Sequence, residues 1–455
     1  MFASSDGAPR GPQRLAFWLL ILFMIALWLA GGASRADALG QVFTRAAAWT
    51  VLVVTTLTLP RPNWKQVRPV AILLGLATAL VALQLVPLPP ALWGALPGRT
   101  MLATAPTGSG IGSAWLPLTI SRAATLNALS SLVVPVAVLT LVASIPISTL
   151  HRLAGVMLAL VGAAALLGLF QFTGATFDHP LINDQPGEIG GSFANRNHLA
   201  LFVAIGILLA PGYLLVGDRP RRWQAAAVAG LALLFVMILL AIGSRAGLVL
   251  GAVAIVVGLA MVRSEVAAVM RRLPGRVRLL VVGASALAVG IVAASVYLGR
   301  AQAIGRLQEE GIAEGLRGAI RPTVIDMIGT YFPLGSGFGT FDPAYRIAEP
   351  TDLLGPKYVN LAHNDLLQVP LDGGLAGALL LFSAIGWWAL ASVRAWGTQG
   401  TLTARLGSAI LLLVMIGSAL DYPARTPMIM AVVVLAAVWL IPAPRHGATA
   451  PIHTR

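Results

Sequence analysis

Apolar stretches of about twenty residues follow one another along the whole chain, and no other feature of the sequence limits the fold as strongly. A helix of that length crosses the hydrocarbon layer of a bilayer, which is about 30 Å thick. Only 11% of the 455 residues are charged, whereas soluble domains carry about a quarter, so a water-soluble globular protein is excluded. The stretches also lack the alternating pattern of barrel strands. The sequence therefore predicts an all-α polytopic membrane protein.

About twelve transmembrane helices are predicted, and three longer segments lie between them on the outer side. The predicted helices cover residues 15–32, 41–59, 69–88, 124–143, 150–172, 198–216, 224–243, 245–262, 278–298, 372–393, 404–420 and 426–441. The outer segments cover 89–123, 173–197 and 299–371, and the last is a large loop between the ninth and tenth spans. We divide the chain into amino-terminal transmembrane helices (1–172), transmembrane helices with outer polar motifs (173–298), the large loop with short helices (299–371) and carboxy-terminal transmembrane helices (372–455).

The basic residues predict the orientation of the chain. With the amino terminus inside, the inside segments hold 18 basic and 3 acidic residues (net +15), and the rest of the chain holds 13 basic and 14 acidic residues (net −1). Lysine and arginine near the ends of spans favour the cytoplasmic side. Both termini are therefore predicted in the cytoplasm. The net charge of +14 is an orientation signal and does not indicate a nucleic-acid partner.

The first apolar stretch allows a second interpretation. Arg10 and Arg14 precede it and Ala36-Asp37-Ala38 follows it, an order that also occurs in a signal peptide with its cleavage site. The stretch is long for a signal peptide, so we favour an uncleaved span. Cleavage would leave eleven spans and the same downstream orientation.

The sequence contains no recognised cofactor motif. A P-loop, a dinucleotide-binding fingerprint, a Gly-x-Ser-x-Gly elbow and tight metal-ligand spacings are all absent from it. The chain has no cysteine, which excludes disulfides, thiolate metal sites and cysteine nucleophiles. We therefore predict a protein that uses neither a cofactor nor a catalytic metal.

Polar residues are concentrated at the outer start of the sixth span, in the run Gly191-Ser192-Phe193-Ala194-Asn195-Arg196-Asn197-His198. The first turn of a helix presents unpaired backbone N–H groups that suit an anion. Asn195 and Asn197 are each also typical helix caps. Because Arg196 and His198 accompany them, a binding site and a cap remain equally good interpretations.

Two arginines are candidates for contact with a phosphate. Ser244-Arg245 forms the whole connection between spans seven and eight, which holds the Arg245 guanidinium at the membrane surface. An arginine there either grips a phosphate or anchors the hairpin at the interface. Arg321 precedes a short apolar, helix-like stretch that extends to Ile328 in the large loop. It is the other loop residue that we keep as a phosphate contact.

His363-Asn364-Asp365 ends the large loop directly before the tenth span. Histidine is the side chain most easily set to accept a proton near neutral pH. Asp365 is a candidate either to hold the ring in one tautomer or to cap the following helix. The nearby arginines distinguish this histidine from an ordinary loop histidine.

These motifs together resemble the O-antigen ligase and polymerase superfamily. The resemblance lies in Gly-Ser-Phe-Ala-Asn-Arg-Asn-His-Leu-Ala (191–200), Gly-Ser-Arg-Ala-Gly (243–247), Pro-Leu-Gly-Ser-Gly-Phe-Gly-Thr-Phe (333–341) and Ala-His-Asn-Asp-Leu-Leu-Gln (362–368). In that family a His-Asn pair is followed after nine residues by Gly-x-x-Gly, and here Gly374 and Gly377 follow Asn364 in this way. The resemblance covers about residues 185–380.

The resemblance implies a metal-independent glycosyltransferase on the periplasmic face of the bacterial inner membrane. Its donor would be a glycan on undecaprenyl diphosphate, and its acceptor a lipid A core, another glycan chain or a protein. Membrane lipids would surround it. His363 would be the general base of an inverting transfer and Arg245 the second catalytic residue. The substrate-binding residues would be Arg196, Arg321, Asn195, Asn197, His198, Asn364 and Asp365.

Three alternatives remain open. A polymerase of O-antigen or exopolysaccharide in the same superfamily would use the same chemistry on a different acceptor. A secondary transporter usually shows two related halves and binding groups near the bilayer midplane, and neither is visible in the sequence. A non-catalytic scaffold of envelope assembly would leave Arg245 and His363 far apart, so their convergence would argue against it.

Overall fold

The computed structural model describes residues 11–100, 102, 114–174, 179–182, 188–215, 222–272, 274–276, 278–279, 283, 318–355, 359–398 and 400–441. The first half contains the helices α1 (Gly11–Ala30), α2 (Leu39–Thr58), α3 (Arg68–Leu83), α4 (Pro90–Gly94), α5 (Arg122–Ser131), α6 (Val133–Ala143) and α7 (Leu153–Phe172). The second half contains α8 (Arg196–Leu215), α9 (Arg222–Ile242), α10 (Arg245–Arg272), α11 (described over 318–331), α12 (Phe341–Ala348), α13 (Asp365–Trp396), α14 (Leu402–Leu420) and α15 (Pro427–Leu440). A small antiparallel ribbon pairs β1 (Pro87–Leu88) with β2 (Leu116–Pro117).

The apolar helices confirm a multi-pass, all-α membrane protein. Eight segments of the described chain are long and apolar enough to cross a bilayer: Gly11–Ala30, Trp64–Leu83, Arg122–Ala143, Ile147–Phe172, Arg196–Tyr213, Arg245–Ser264, Asp365–Trp396 and Leu402–Leu420. Two shorter apolar helices, Ala227–Ile242 and Pro427–Leu440, coincide with two further predicted spans. The predicted span 41–59 corresponds to α2, whereas 278–298 lies almost entirely outside the described residues. The total of twelve stays a prediction.

Helix α8 lies at the centre of the bundle. Every residue from Leu199 to Ile205 is fully buried, which requires neighbouring helices on all of its faces. A Cβ atom on Gly206 would lie 2.5 Å from Val161 of α7 and 2.8 Å from Phe235 of α9, so a glycine permits this close approach. Helices α10 and α14 pack against α8 as well. The polar motif that precedes α8 therefore lies at the end of the central helix.

Helix α13 is broken at Gly374, whose backbone adopts φ 59° and ψ −147°. A Cβ atom at this position would lie 2.1 Å from the Pro333 carbonyl oxygen, so the site requires glycine. The glycine-punctuated turn 333–341 packs onto the break. There Ser336 N–H donates to the Leu371 carbonyl (2.9 Å) and Gly337 N–H donates to the Asp372 carbonyl (2.9 Å). The break divides α13 into a short piece, 365–373, and a longer apolar one, 375–396.

A second, smaller hydrophobic cluster supports the short piece of α13. It is formed by α11 and α12 together with Leu371, and the stacked rings of Phe341 and Tyr345 lie 5.4 Å apart within it. The predicted helix-like stretch from Arg321 to Ile328 is confirmed as part of α11. This cluster fixes the end of α13 that follows His363.

Arg99 attaches the segment after α4 to this cluster. Its guanidinium is 1% exposed, lies over the rings of Trp93 and Tyr331 at 5.8 and 5.4 Å, and donates to the Leu118 carbonyl at 2.6 Å. Burial lowers the pKa of Arg99 to about 10. The same guanidinium approaches the Gly335 carbonyl at 3.4 Å, so it also supports the glycine turn.

Candidate active site

The start of α8 places two asparagines against one carboxylate. Asn195 is the residue before the helix, and its Oδ1 accepts the Asn197 backbone N–H at 2.8 Å, so Asn195 is a helix cap as one interpretation predicted. Its side-chain amide also donates to Oδ2 of Asp421 at 3.0 Å. The Asn197 side-chain amide donates to the same oxygen at 2.8 Å. The motif therefore both caps the helix and holds Asp421.

The other oxygen of Asp421 faces His363. The distance from Asp421 Oδ1 to His363 Nδ1 is 3.0 Å, and the Tyr422 backbone N–H donates to the same oxygen at 3.1 Å. The Asp421 side chain is only 4% exposed and that of His363 is 20% exposed. A carboxylate at Nδ1 favours the tautomer that carries its proton there, which leaves Nε2 to accept another proton.

The backbone of His363 is in the left-handed region, with φ +50°. A residue other than glycine pays about 1–3 kcal/mol for such a conformation, and residues of this kind are concentrated at functional sites. Asn364 follows directly and caps α13, since its Oδ1 accepts the N–H groups of Leu366 (2.9 Å) and Leu367 (3.3 Å). The cap and the left-handed backbone together orient the imidazole towards Asp421.

The carboxylate that pairs with the His363 ring is that of Asp421, and not that of Asp365. Instead, Asp365 Oδ1 accepts a hydrogen bond from Arg425 Nε at 2.8 Å. The predicted capping role belongs to Asn364. Both functions considered for Asp365 are therefore performed by neighbours in space or in sequence.

The ring of Tyr422 lies between two histidines. Its centroid is 4.9 Å from that of His363 and 5.2 Å from that of His198, the latter in an edge-to-face arrangement. His198 is 1% exposed. It therefore packs behind the site through Tyr422, and a direct contact with substrate would need the site to open.

Arg196 and Arg245 are the first residues of two neighbouring helices, α8 and α10. Ser244 caps α10 by accepting the Gly247 N–H (3.0 Å), and its hydroxyl donates to Asn197 Oδ1 at 2.7 Å. Arg245 follows Ser244 and is exposed, while Arg196 lies between the two asparagines and is half-buried. Both guanidinium groups are therefore attached to backbone that borders the Asp421 network. Arg321 is exposed on α11 and is not part of the hydrogen-bond network described here.

A half-buried arginine, Arg425, lies between the site and the buried carboxylate of Asp372. Asp372 is fully buried, and its Oδ2 lies 3.9 Å from Arg425 Nη1 and 3.4 Å from Gln368 Nε2. Burial by itself would lower the pKa of the Arg425 guanidinium, but the nearby carboxylates of Asp365 and Asp372 raise it above its usual range. Arg425 therefore stays charged under all ordinary conditions.

The sequence interpretation missed the connection between α14 and α15, which supplies Asp421, Tyr422 and Arg425. The signal was present, because Asp421 and Arg425 stand within five residues of each other in an otherwise apolar stretch. Ionisable residues between apolar helices are functional candidates by default. The connection carried no motif that we connected with His363, which is 58 residues away.

Comparison with known proteins identifies a family for part of the chain. Residues 229–382 match the family model described as O-antigen ligase. This segment contains Arg245 and His363, whereas Asn197 and Asp421 lie outside it. No curated protein matches the chain significantly. The polar network therefore joins residues of the matched segment to residues on both sides of it.

Proposed function

We propose that the chain, whose residues 229–382 match the O-antigen ligase family model, is a member of that superfamily and transfers a glycan from undecaprenyl diphosphate to an acceptor hydroxyl on the periplasmic face of the bacterial inner membrane. One observation carries this proposal. The Asp421 carboxylate orients the His363 imidazole at 3.0 Å, next to two helix starts that bear Arg196 and Arg245. A base beside two helix starts that each carry an arginine suits a reaction that moves a proton and releases a diphosphate.

In the proposed reaction His363 Nε2 takes the proton of the acceptor hydroxyl. The hydroxyl oxygen forms a bond to the anomeric carbon, while the bond from that carbon to the diphosphate oxygen breaks with its electron pair. Attack from the face opposite the leaving group inverts the anomeric configuration. Asp421 stabilises the imidazolium that forms, and a positioned base of this kind contributes about 10²–10⁴ to the rate.

The departing undecaprenyl diphosphate needs compensating positive charge. Arginine forks match phosphate oxygens in a bidentate way, and the starts of α8 and α10 add unpaired backbone N–H groups. We assign this role to Arg196 and Arg245, with Arg321 as a further contact of the loop. Each pre-placed donor lowers such a barrier by about 3 kcal/mol. The arginines thus supply the charge that a metal would otherwise provide.

A chain of hydrogen bonds from Ser244, the residue before Arg245, to His363 favours an enzyme over a scaffold. Ser244, next to Arg245, donates to Asn197; Asn197 donates to Asp421; and Asp421 contacts His363. A scaffold has no need to link these groups through a chain of hydrogen bonds. A polymerase would use the same groups, because ligase and polymerase differ in the acceptor and not in the bond that is made.

The test is glycan transfer by the purified protein in lipid vesicles with a short undecaprenyl-diphosphate-linked oligosaccharide. Offering lipid A core, a lipid-linked glycan and a protein as separate acceptors identifies the acceptor class. His363→Ala should lower the transfer rate about 10²-fold or more, while its membrane insertion and its size-exclusion elution volume stay unchanged. His151→Ala, in the turn between α6 and α7, is the matched control and should transfer normally. An active His363→Ala protein would refute the base assignment.

A further inference from the structure

Two polar contacts, not one, join the segment around His363 to the connection after α14. The first is the contact of His363 with Asp421. The second joins Asp365, two residues after the histidine, to Arg425, four residues after Asp421, at 2.8 Å from Nε to Oδ1. Both contacts therefore cross between the same two short pieces of chain, 363–365 and 421–425.

Hydrogen bonds make the 421–425 connection rigid, so the position of Arg425 affects the position of Asp421. Asp421 N–H donates to the Gly417 carbonyl (2.8 Å) at the end of α14, and Pro423–Arg425 forms a single 3₁₀ turn. Within that turn Arg425 N–H donates to the Tyr422 carbonyl at 3.2 Å. A shift of Arg425 would therefore also move the backbone that carries Asp421.

Arg425 also spans the short piece of α13. Asp365 and Asp372 are seven residues apart, which places them on the same face of a helix two turns apart. Asp372 is fully buried, and its Oδ1 has no hydrogen-bond partner among the described residues. A buried carboxylate in this state depends on a nearby cation, and Arg425 Nη1 lies 3.9 Å from its other oxygen.

We propose that Arg425 is a positioning residue for the transfer reaction: its contacts with Asp365 and Asp372 hold the 421–425 connection against the start of α13, so that Asp421 meets His363. This inference rests on the proposed function for its kinetic consequence and on the geometry alone for its structural one. Arg425 acts through Asp421 and touches no reacting atom.

Lysine is the informative substitution at this position. The guanidinium directs Nε to one carboxylate and Nη1 to another, whereas an ammonium group is a single point that cannot replace both contacts. Arg425→Lys therefore keeps the charge and weakens the bridge. Arg405→Lys is the matched control, because Arg405 also lies near a helix connection but, within the described part of the chain, donates only to the carbonyls of Ala395 and Gly397.

The first measurement is kinetic. Arg425→Lys should lower kcat of glycan transfer about tenfold with KM for the lipid-linked donor within about twofold of wild type, and Arg405→Lys should change neither. In an Asp421→Asn background, Arg425→Lys should lower kcat by less than about twofold, because the Asp421–His363 contact that Arg425 supports has already been removed. A full and additive loss in that background would overturn the inference.

The second measurement needs no transferase activity. Diethyl pyrocarbonate acylates accessible histidines, and mass spectrometry reports its rate at His363 with His151 as the internal reference. Release of the imidazole from Asp421 should raise acylation of His363 severalfold in Arg425→Lys and leave that of His151 unchanged. Asp365→Asn, which weakens the bridge from its other side, should give the same rise if the lysine variant folds poorly.

These readouts separate the two proposals. A wild-type protein that transfers no glycan would refute the proposed function, while the acylation rates would still test Arg425. Unchanged acylation of His363 in both Arg425→Lys and Asp365→Asn would overturn the positioning role even in a fully active enzyme.

Discussion

The carboxylate of Asp421 lies 3.0 Å from Nδ1 of His363, although 58 residues separate the two in sequence. Its second oxygen accepts hydrogen bonds from the amides of Asn195 and Asn197. A carboxylate held on both oxygens cannot turn away from the imidazole without breaking several hydrogen bonds at once. The histidine is therefore held in one tautomer and one orientation before a substrate arrives.

Asp421→Asn should remove most of the transfer activity. An amide of the same shape cannot stabilise the imidazolium, and its NH₂ group competes with the hydrogen bond that fixes the tautomer. We expect kcat to fall about 10²- to 10⁴-fold, with KM little changed. Initial rates in lipid vesicles measure this. Asp342→Asn, which removes an exposed carboxylate paired with Arg346 at 2.8 Å, should keep the wild-type rate. Wild-type kcat in Asp421→Asn would show that the contact has no part in catalysis.

Arg245→Ala should weaken binding of the lipid diphosphate more than Arg321→Ala does. Arg245 starts α10 beside the Asp421 network, whereas Arg321 is exposed on α11 outside it. We expect a loss of affinity of about tenfold or more for Arg245→Ala, since a charge-assisted contact contributes about 1.5–3 kcal/mol. Titration of both variants with undecaprenyl diphosphate compares them directly. Equal losses would show that Arg321 contributes as much to diphosphate binding as Arg245, and an unchanged affinity in Arg245→Ala would contradict its assigned role.

Gly374→Ala should destabilise the protein, whereas Gly386→Ala in the same helix should not. The added methyl at Gly374 would lie 2.1 Å from the Pro333 carbonyl oxygen, in a backbone conformation of φ 59°, while nothing lies within 4 Å of a Cβ at Gly386. We expect a loss of about 2–4 kcal/mol at Gly374 and a small gain at Gly386, where alanine favours the helix. Thermal unfolding in detergent tests both. Equal melting temperatures would show that α13 tolerates a different path at the break.

Hydropathy predicted the helices well, because each span must satisfy its own backbone hydrogen bonds within one continuous apolar segment. The tenth span was predicted from residue 372, close to the break of α13 at Gly374. The short helical piece before the break was not predicted, and it carries Asp365 and Asp372, which both lie near Arg425. A partner 60 residues away in sequence cannot be inferred from local hydropathy.

The sequence predicted the residues of the candidate site that lie at helix starts, but not their partner Asp421. The residues at helix starts, Asn195, Asn197, Arg245 and His363, were visible because polar side chains next to an apolar run are easy to recognise. Asp421 was not, because nothing in a single sequence pairs it with His363. The roles of Asn364 and Asp365 were also undecided, since capping chemistry does not distinguish two adjacent polar residues. Tertiary contacts decided between them.

The break at Gly374 separates the membrane-spanning piece of α13 mechanically from the short piece that follows His363. Leu375 N–H donates to the Pro333 carbonyl (2.8 Å), and the Leu371 carbonyl that it would meet in a regular helix is taken by Ser336. The longer piece of α13 exposes Leu379, Phe382 and Val393, and such a helix tilts as bilayer thickness varies. The helical hydrogen bonds are interrupted at the break, so a tilt of the longer piece is not transmitted through them to the short piece that follows His363. A change in membrane thickness can therefore tilt the longer piece of α13 without displacing the His363 imidazole.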